Sequence, residues 1–424
     1  MALTGRAALA AAAGALLILA FRAPAVLVVV NALLAAAIAA DLALAAPVRG
    51  IRLSRSGDTR VLLGERASVE LGVENPSRRT LRAVIRDAWQ PSAGAAPPHT
   101  RVTVPAGGRA RLTTSLAPDR RGDKTAAGVT IRSLGPLGLA ARQGRRPAPW
   151  TVRLLPPFRS RRHLPEKLSR LRQLDGQHRA LLRGQGSEFD SLREYVIGDD
   201  VRSIDWRATA RLRDVMIRTW RPERDRQLLI MLDTGRTSAG RVGGVPRLDA
   251  AMDAALLLTA LASRAGDRVD MMAFDRRVRA RVVGAPRSTV LSAVAQAMAG
   301  LQPELVETDA AALGSAALTA ARHRCLLVLL TDLNPAAVAE GLLPRLPLLA
   351  ARHEVVVAAV ADPALAEMAG GRADAAAAEQ AVTARQRVSA LLQRRGAHVV
   401  DAPPDRLPAA LADAYLALKA AGRL

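Results

Sequence analysis

At 424 residues the chain is long enough for two or three domains with a substantial core, and with aromatics at only 2% that core must be built from Ala, Leu and Val. The formal net charge of +23 is carried almost wholly by arginine, since only Lys124, Lys167 and Lys419 are lysines, and such a bias is as much compositional as it is a binding code. A single cysteine, Cys325, excludes a disulfide framework or a cysteine metal cluster within one chain and fits a reducing compartment.

Two apolar runs open the sequence, Ala7 to Phe21 and Ala25 to Ala46, separated by Arg22 and Pro24. A bilayer takes about 20 apolar residues per helix, so the second run is long enough and the first is short. A cleaved secretory signal competes for the first run, but a second long run directly behind it favours a transmembrane helix hairpin over residues 1–48. Arg6 precedes the first run, Arg22 sits in the turn, and Arg49, Arg52, Arg55 and Arg60 follow the second. The positive-inside rule then places both ends, and everything after residue 50, in the cytoplasm. Asn31 and Asp41 are polar residues in or near the second run, and Asp41 is expected at a water-facing helix end.

From residue 49 to 150 the pattern changes to period two. RASVELGVEN, TLRAVIRDAW, TRVTVPAGGRARLTTSL and AGVTIRSLG alternate apolar and polar residues, punctuated by Asn75-Pro76, Gly107-Gly108 and Gly135-Pro136. That spacing predicts an all-β, immunoglobulin-like sandwich with one buried face per strand, serving as a spacer or interaction module.

The segment 151–226 concentrates the charge and the aromatics. Counted from residue 142, it holds 21 basic and 11 acidic residues. Glu188, Asp190, Glu194, Asp199, Asp200 and Asp205 alternate with Arg193, Arg202, Arg207, Arg211 and Arg213, around Phe189, Tyr195, Trp206 and Trp220. This interleaving predicts a paired, partly buried network that packs on the following domain and recognises a partner through Glu188, Asp190, Arg193, Tyr195, Asp199, Asp200, Asp205, Trp206 and Arg207. A hydrolase using the carboxylates between Glu188 and Asp200 is the alternative, although the matching arginines would hold those carboxylates ionised and occupied.

The stretch GSEFDSLREYVIGDDVRSIDWRATARLRDVMIRTWRPERD, continued by LDTGRTS, GDRVDMMAFD and ELVETD, resembles the bacterial domain-of-unknown-function 58 family. The resemblance implies a membrane-tethered, non-enzymatic scaffold that carries a von Willebrand factor A-like domain and acts beside a MoxR-type AAA+ ATPase.

Residues 227–424 support a doubly wound α/β domain on their own account. Apolar runs such as LLIMLD, CLLVLLTDL and EVVVAAVAD alternate with helical stretches, among them Arg247 to Ala265 and Ala375 to Arg395, which predicts a mainly parallel sheet covered on both faces. Ligands of such sheets bind outside the carboxyl ends of the strands, where Asp233 and Asp332 fall. By the resemblance, Asp233, Thr237, Thr308 and Asp332 match the metal-ion-dependent adhesion site of von Willebrand A domains, a Mg²⁺ site, with Gly235 in place of its first serine. The alternative is that Asp233 and Asp332 cap the helices that follow. If Arg236 points inward, it neutralises both carboxylates.

Other chemistries are disfavoured. No lysine follows a glycine, so there is no Walker loop, and neither HExxH nor GxSxG occurs. Nucleic-acid or anionic-lipid binding through the arginine-rich region remains the rival suggested by charge, although the arginines are interleaved with acids and no base-stacking motif is visible. The expectation is a cytoplasm-facing, membrane-anchored interaction protein rather than an enzyme.

Overall fold

The computed structural model describes residues 2–21, 23–181, 188–197, 199–212, 214–221, 226–369 and 375–424. They divide into two compact units, Met1–Pro157 and Phe158–Leu424.

In the first unit β1 (Ala2–Leu3) leads into α1 (Gly5–Phe21), and α2 (Pro24–Leu44) packs against it. Gly14 permits that packing, since a Cβ there would lie 2.7 Å from Val30 Cγ1. By length and composition α2 is able to cross a membrane, whereas α1 is apolar but only 17 residues long. Asn31 Nδ2 satisfies itself within the helix by donating to Leu27 O at 2.8 Å. Asp41 departs from expectation. It is fully buried rather than water-facing, and its carboxylate accepts the N–H groups of Leu137, Leu139 and Ala140.

The strands that follow are β2 (Arg52–Gly57), β3 (Arg60–Leu62), β4 (Ala67–Glu74), β5 (Leu81–Trp89), β6 (Ala95–Ala96), β7 (Thr100–Val104), β8 (Arg109–Leu116), β9 (Gly122–Leu134), β10 (Ala140–Arg146) and β11 (Thr151–Leu155). One sheet has the order β2-β4-β8-β6; the other runs β1-β10-β9-β11-β3, with β5 paired to β9 and β7. Alternation decides which side chains are buried: Ala67, Val69, Leu71 and Val73 of β4 point inward while Ser68 is exposed between them. Leu71 and Val73 share one apolar cluster with Leu81, Ile85, Val129 and Ile131 of the other sheet. Because β11 pairs with β9 and β3, the boundary expected at residue 150 falls instead after Pro157. Arg55, counted in sequence among the charges flanking the membrane, is buried against Asp87, stacks 5.2 Å from the Trp89 ring and donates to Ala148 O. It is therefore a packing residue and weakens the charge asymmetry that set the orientation.

The second unit begins with α3 (Leu164–Leu181). Next come β12 (Glu188–Glu194), α4 (Trp206–Leu212) and β13 (Met216–Arg221), where β12 and β13 form a separate antiparallel ribbon. Then follow β14 (Gln227–Asp233), the short ribbon β15 (Arg241–Val242) and β16 (Val245–Pro246), α5 (Arg247–Arg264), β17 (Arg268–Phe274), β18 (Val278–Val282), α6 (Val290–Ala299) and α7 (Ala310–Ala320). The chain closes with β19 (Leu326–Leu330), α8 (Pro335–Ala337), α9 (Leu346–Arg352), β20 (Glu354–Val360), α10 (Pro363–Ala369), α11 (Ala375–Arg394), β21 (Ala397–Ala402) and α12 (Leu407–Ala420).

The main sheet has the order β18-β17-β14-β19-β20-β21 and is parallel except for β18. Its inner strands β14, β19 and β20 are largely apolar because both faces are covered: Leu228, Ile230 and Leu232 pack with α5 and α12, whereas Leu229 and Met231 pack with α7 and α9.

Candidate functional site

Strands β14 and β19 are parallel neighbours in the register Leu232 to Leu330, so the residues that follow, Asp233 and Thr331, end side by side at the carboxyl edge. From β14 the chain crosses to β17 on one side and later returns to β19 on the other, which makes this edge the switch point of the sheet. The loop before α7 is laid across the edge by Glu304 N to Thr234 O at 2.8 Å and Arg236 N to Val306 O at 2.7 Å. That bridging brings Thr308 onto Asp233.

Asp233 is buried. Its Oδ1 accepts from Gly235 N at 2.8 Å and Thr308 Oγ1 at 2.5 Å, and its Oδ2 accepts from Thr331 Oγ1 at 2.6 Å. Ser238 Oγ donates to the Asp233 carbonyl at 2.7 Å and tightens the turn. Burial pushes the Asp233 carboxyl above the usual carboxylate range; the bonds from Thr308, Thr331 and Gly235 pull the other way, and the charge of Asp332 adds to the rise.

Asp332 is held differently. Arg247 Nη1 lies 2.8 Å from its Oδ2 and Arg385 Nη1 2.8 Å from its Oδ1. Arg385 also clamps Asp401 through Nε at 2.7 Å and Nη2 at 2.8 Å. Burial works against the Arg385 charge, but its bonds to Asp401 and the nearby charges of Asp332 and Asp401 outweigh burial and raise its pKa. Arg236 points away from the carboxylates, pairing with Glu307 at 2.8 Å in solvent. Neutralisation of Asp332 thus falls to Arg247 and Arg385, two residues that sequence reasoning missed. Neither aspartate caps a helix: the capping side chains nearby are Asn334, which accepts from Ala336 N and Ala337 N, and Asp309, which accepts from Ala312 N.

All four residues expected to hold Mg²⁺, Asp233, Thr237, Thr308 and Asp332, line one cleft of about 330 Å³, with Leu313, Val338 and Leu342 as apolar wall and Glu340 and Arg345 near its rim. Their arrangement does not fit the ion. Mg²⁺ demands near-octahedral oxygen ligands at about 2.0–2.1 Å. Here both Asp332 oxygens face guanidinium groups, and Thr308 donates its hydroxyl proton to Asp233. A Cβ on Gly235 would overlap Thr308 Oγ1, so the space of the missing serine is already filled.

The residues expected to recognise a partner lie on the β12–β13 ribbon and the turns it carries. Arg193 pairs with Asp199 at 2.6 Å, and Asp205 pairs with Arg218 at 2.7 Å rather than with the adjacent Arg207. The Arg193 bond holds the Asp199 carboxyl below the usual range, and the Arg218 bond does the same for Asp205. Asp200 caps the turn at Arg202 N, and Asp205 caps α4 through the N–H groups of Arg207 and Ala208. Among the described residues of this segment the pairs are local and their arginines reach solvent, where a partly buried network was expected. Trp206 is 69% exposed, Ile197 is 96% exposed, Arg207 is exposed, and Tyr195 is half-buried. The side chains of Glu188 and Asp190 lie outside the described residues. Cys325 is buried against His353, and burial pushes its thiol up to about 12, which makes it an inert packing residue.

Residues 191–397 match the model of the family described as "Protein of unknown function DUF58". Uncharacterized proteins of Mycobacterium bovis and Mycobacterium tuberculosis are 32% identical to this chain over 198 residues, which is 45% of this chain and 60% of each relative. The chain therefore spans about 60% of the length of the curated relatives it matches. These matches support the family resemblance read from the sequence. Among solved structures, proximal thread matrix protein 1 from the mussel byssus covers 47% of both chains at 12% identity and a TM-score of 0.30. The CARDB domain of the PF1109 protein from Pyrococcus furiosus covers 27% of this chain and 92% of its own at 13% identity and a TM-score of 0.20. Likeness at that level carries no argument.

Proposed function

We propose that the chain is a membrane-anchored, non-enzymatic scaffold of the DUF58 type, acting with a MoxR-type AAA+ ATPase on client proteins. In this reading α1 and α2 form a transmembrane hairpin, the two β sheets an immunoglobulin-like sandwich, and the six-stranded sheet a von Willebrand A-like domain that faces the cytoplasm. The observation that carries it is the state of the carboxyl-edge cleft. It is concave and partly apolar, yet the two carboxylates at the sheet edge, Asp233 and Asp332, are tied to hydroxyl, amide or guanidinium donors, and Glu340 lies exposed near the rim. A general base must be within reach of a substrate proton with its lone pairs available, whereas saturated carboxylates suit a rigid docking surface. The exposed Ile197, in the turn after β12, and Trp206, at the start of α4, add apolar anchors of the type found at interaction hot spots.

Capture of the full chain from detergent-solubilised membranes, with identification of co-purifying proteins, tests this. A AAA+ ATPase is expected, and its recovery should fall several-fold with Trp206→Ala or with Leu342→Arg in the cleft wall. Recovery unaffected by both variants overturns the assigned surfaces, and a hydrolytic activity abolished by Asp233→Asn overturns the scaffold reading.

A further inference from the structure

The apolar helices are rooted in the first unit without a linker at either end. At the start of α1, Thr4 N donates to Leu139 O at 3.0 Å and Thr4 Oγ1 to Gly138 O at 2.6 Å, while β1 just before it pairs with β10. At the end of α2, Asp41 accepts from Leu137 N, Leu139 N and Ala140 N at 2.8, 2.7 and 2.8 Å. Both helix ends thus grip the same turn, 135–140. A Cβ on Gly135 would overlap the Asp41 carboxylate, so only glycine admits the helix end so closely.

Arginines surround this junction. Arg142 Nε donates to Leu42 O at 2.8 Å and Arg79 Nη1 to Ala43 O, which satisfies carbonyls that the end of α2 leaves unpaired. The Arg6 guanidinium lies against Gly138, and Arg49 follows the helix; all four arginines are exposed. A guanidinium carries five N–H donors in a planar fork that fits phosphate oxygens, so one bond to a carbonyl leaves most of its donors to be directed outward. Leu137 stands among them at 53% exposure. The Asp41 carboxylate is buried and spent on backbone N–H groups.

We propose that turn 135–140, with Arg6, Arg79 and Arg142, is a docking face for anionic phospholipid headgroups, and that it seats the β sheets directly on the bilayer. This rests on the reading of α2 as a membrane span. The occupant follows from continuity: helices that leave this face expose Leu16, Leu27, Val28 and Leu33, side chains that hydrocarbon covers, so headgroups meet the arginines at the helix base.

The test uses the full chain in the Cys325→Ala background, reconstituted into vesicles of phosphatidylcholine with phosphatidylglycerol and labelled with an environment-sensitive fluorophore at one introduced cysteine. The sites are Leu137→Cys, Val29→Cys within α2, and Asp119→Cys, just before β9 and roughly 40 Å from the turn by strand rise. Headgroup-level nitroxide lipid is expected to quench the label at 137 at least threefold more than at 119, and acyl-chain nitroxide to quench the label at 29. Quenching at 29 with 137 no different from 119 overturns the docking face while leaving the span standing. An unquenched label at 29 overturns the span and the face together. Arg79→Glu with Arg142→Glu is expected to halve quenching at 137 in the phosphatidylglycerol vesicles but not in phosphatidylcholine alone. An equal effect in both would assign the contact to Leu137 insertion and overturn headgroup recognition.

Discussion

The hydroxyl of Thr308 fills the volume that a side chain on Gly235 would need. A Cβ at residue 235 would overlap Thr308 Oγ1 and lie 3.0 Å from Val306 O. Gly235→Ser restores the adhesion-site motif on paper, but it inserts bulk into a closed space, which costs about 1–3 kcal/mol. Thermal melts should show Gly235→Ser less stable than the parent and part of the loss recovered in Gly235→Ser with Thr308→Ala, a coupling that a double-mutant cycle reads directly. A serine variant as stable as the parent would mean that the loop opens freely.

Asp233 makes stability depend on pH in a defined direction. Its carboxyl is raised by burial above the ordinary aspartate range, so in the window above that range the folded chain holds a proton that the unfolded chain has released. The stabilisation is complete below the unfolded pKa and is lost as pH rises through the raised native value. Asp233→Asn keeps an acceptor for Gly235 N and Thr308 and removes the charge. It should be at least as stable as the parent at pH 7 and should flatten the slope of stability against pH above 4. Asp233→Ala strands one buried N–H and costs two threonine hydroxyls their acceptor, a loss of about 2 kcal/mol or more. Denaturant unfolding at several pH values distinguishes them, and an Asn variant as damaged as the Ala variant would refute the argument.

Much of this architecture was legible in the sequence, for a physical reason: strands such as Leu228–Asp233 and Glu354–Val360 are apolar because both sheet faces are covered, and the helices between them keep their own period. Asp233, Thr237, Thr308 and Asp332 do meet at one edge. What sequence could not supply was the choice among donors. Arg385 sits on a helix 53 positions from Asp332, in a chain with 61 basic residues, and nothing local distinguishes it. Thr331 follows β19 directly, and the parallel register placed beside Asp233 was the signal that would have found it. Trp206 was expected inside a partly buried network because aromatics are usually buried, whereas it opens α4 at 69% exposure and the acid before it, Asp205, is occupied with capping that helix.

The Arg385 clamp should be among the costliest to break in the second unit. Its guanidinium is bonded to Asp332, Asp401 and Val360 O, and it joins α11 to the ends of β19, β20 and β21. Removing it leaves two carboxylates short of their partner in a partly buried site, and breaking buried pairs costs about 3–5 kcal/mol. Arg385→Ala should therefore lower the melting temperature strongly. Arg385→Lys should recover little, because an ammonium cannot span both carboxylates with a planar fork. Full recovery by lysine would show that charge alone, and not the bidentate geometry, is what matters.

Magnesium supplies the last test of the cleft. Asp332 has one guanidinium on each oxygen, Asp233 already accepts three hydrogen bonds, and the serine position is filled, so an ion would have to displace Arg247 or Arg385 and turn the Thr308 hydroxyl before gaining its ligands. Calorimetric titration of the full chain in detergent with Mg²⁺ or Mn²⁺ is expected to give no saturable heat at millimolar ion, and neither ion should raise the melting temperature. Arg247→Gln frees only Asp332 Oδ2, because Arg385 retains Oδ1, so this variant too should remain without saturable binding. The opposite result, saturable binding by the parent that Asp233→Asn abolishes, would show that both arginine contacts open readily and that the cleft recognises its partner through a metal.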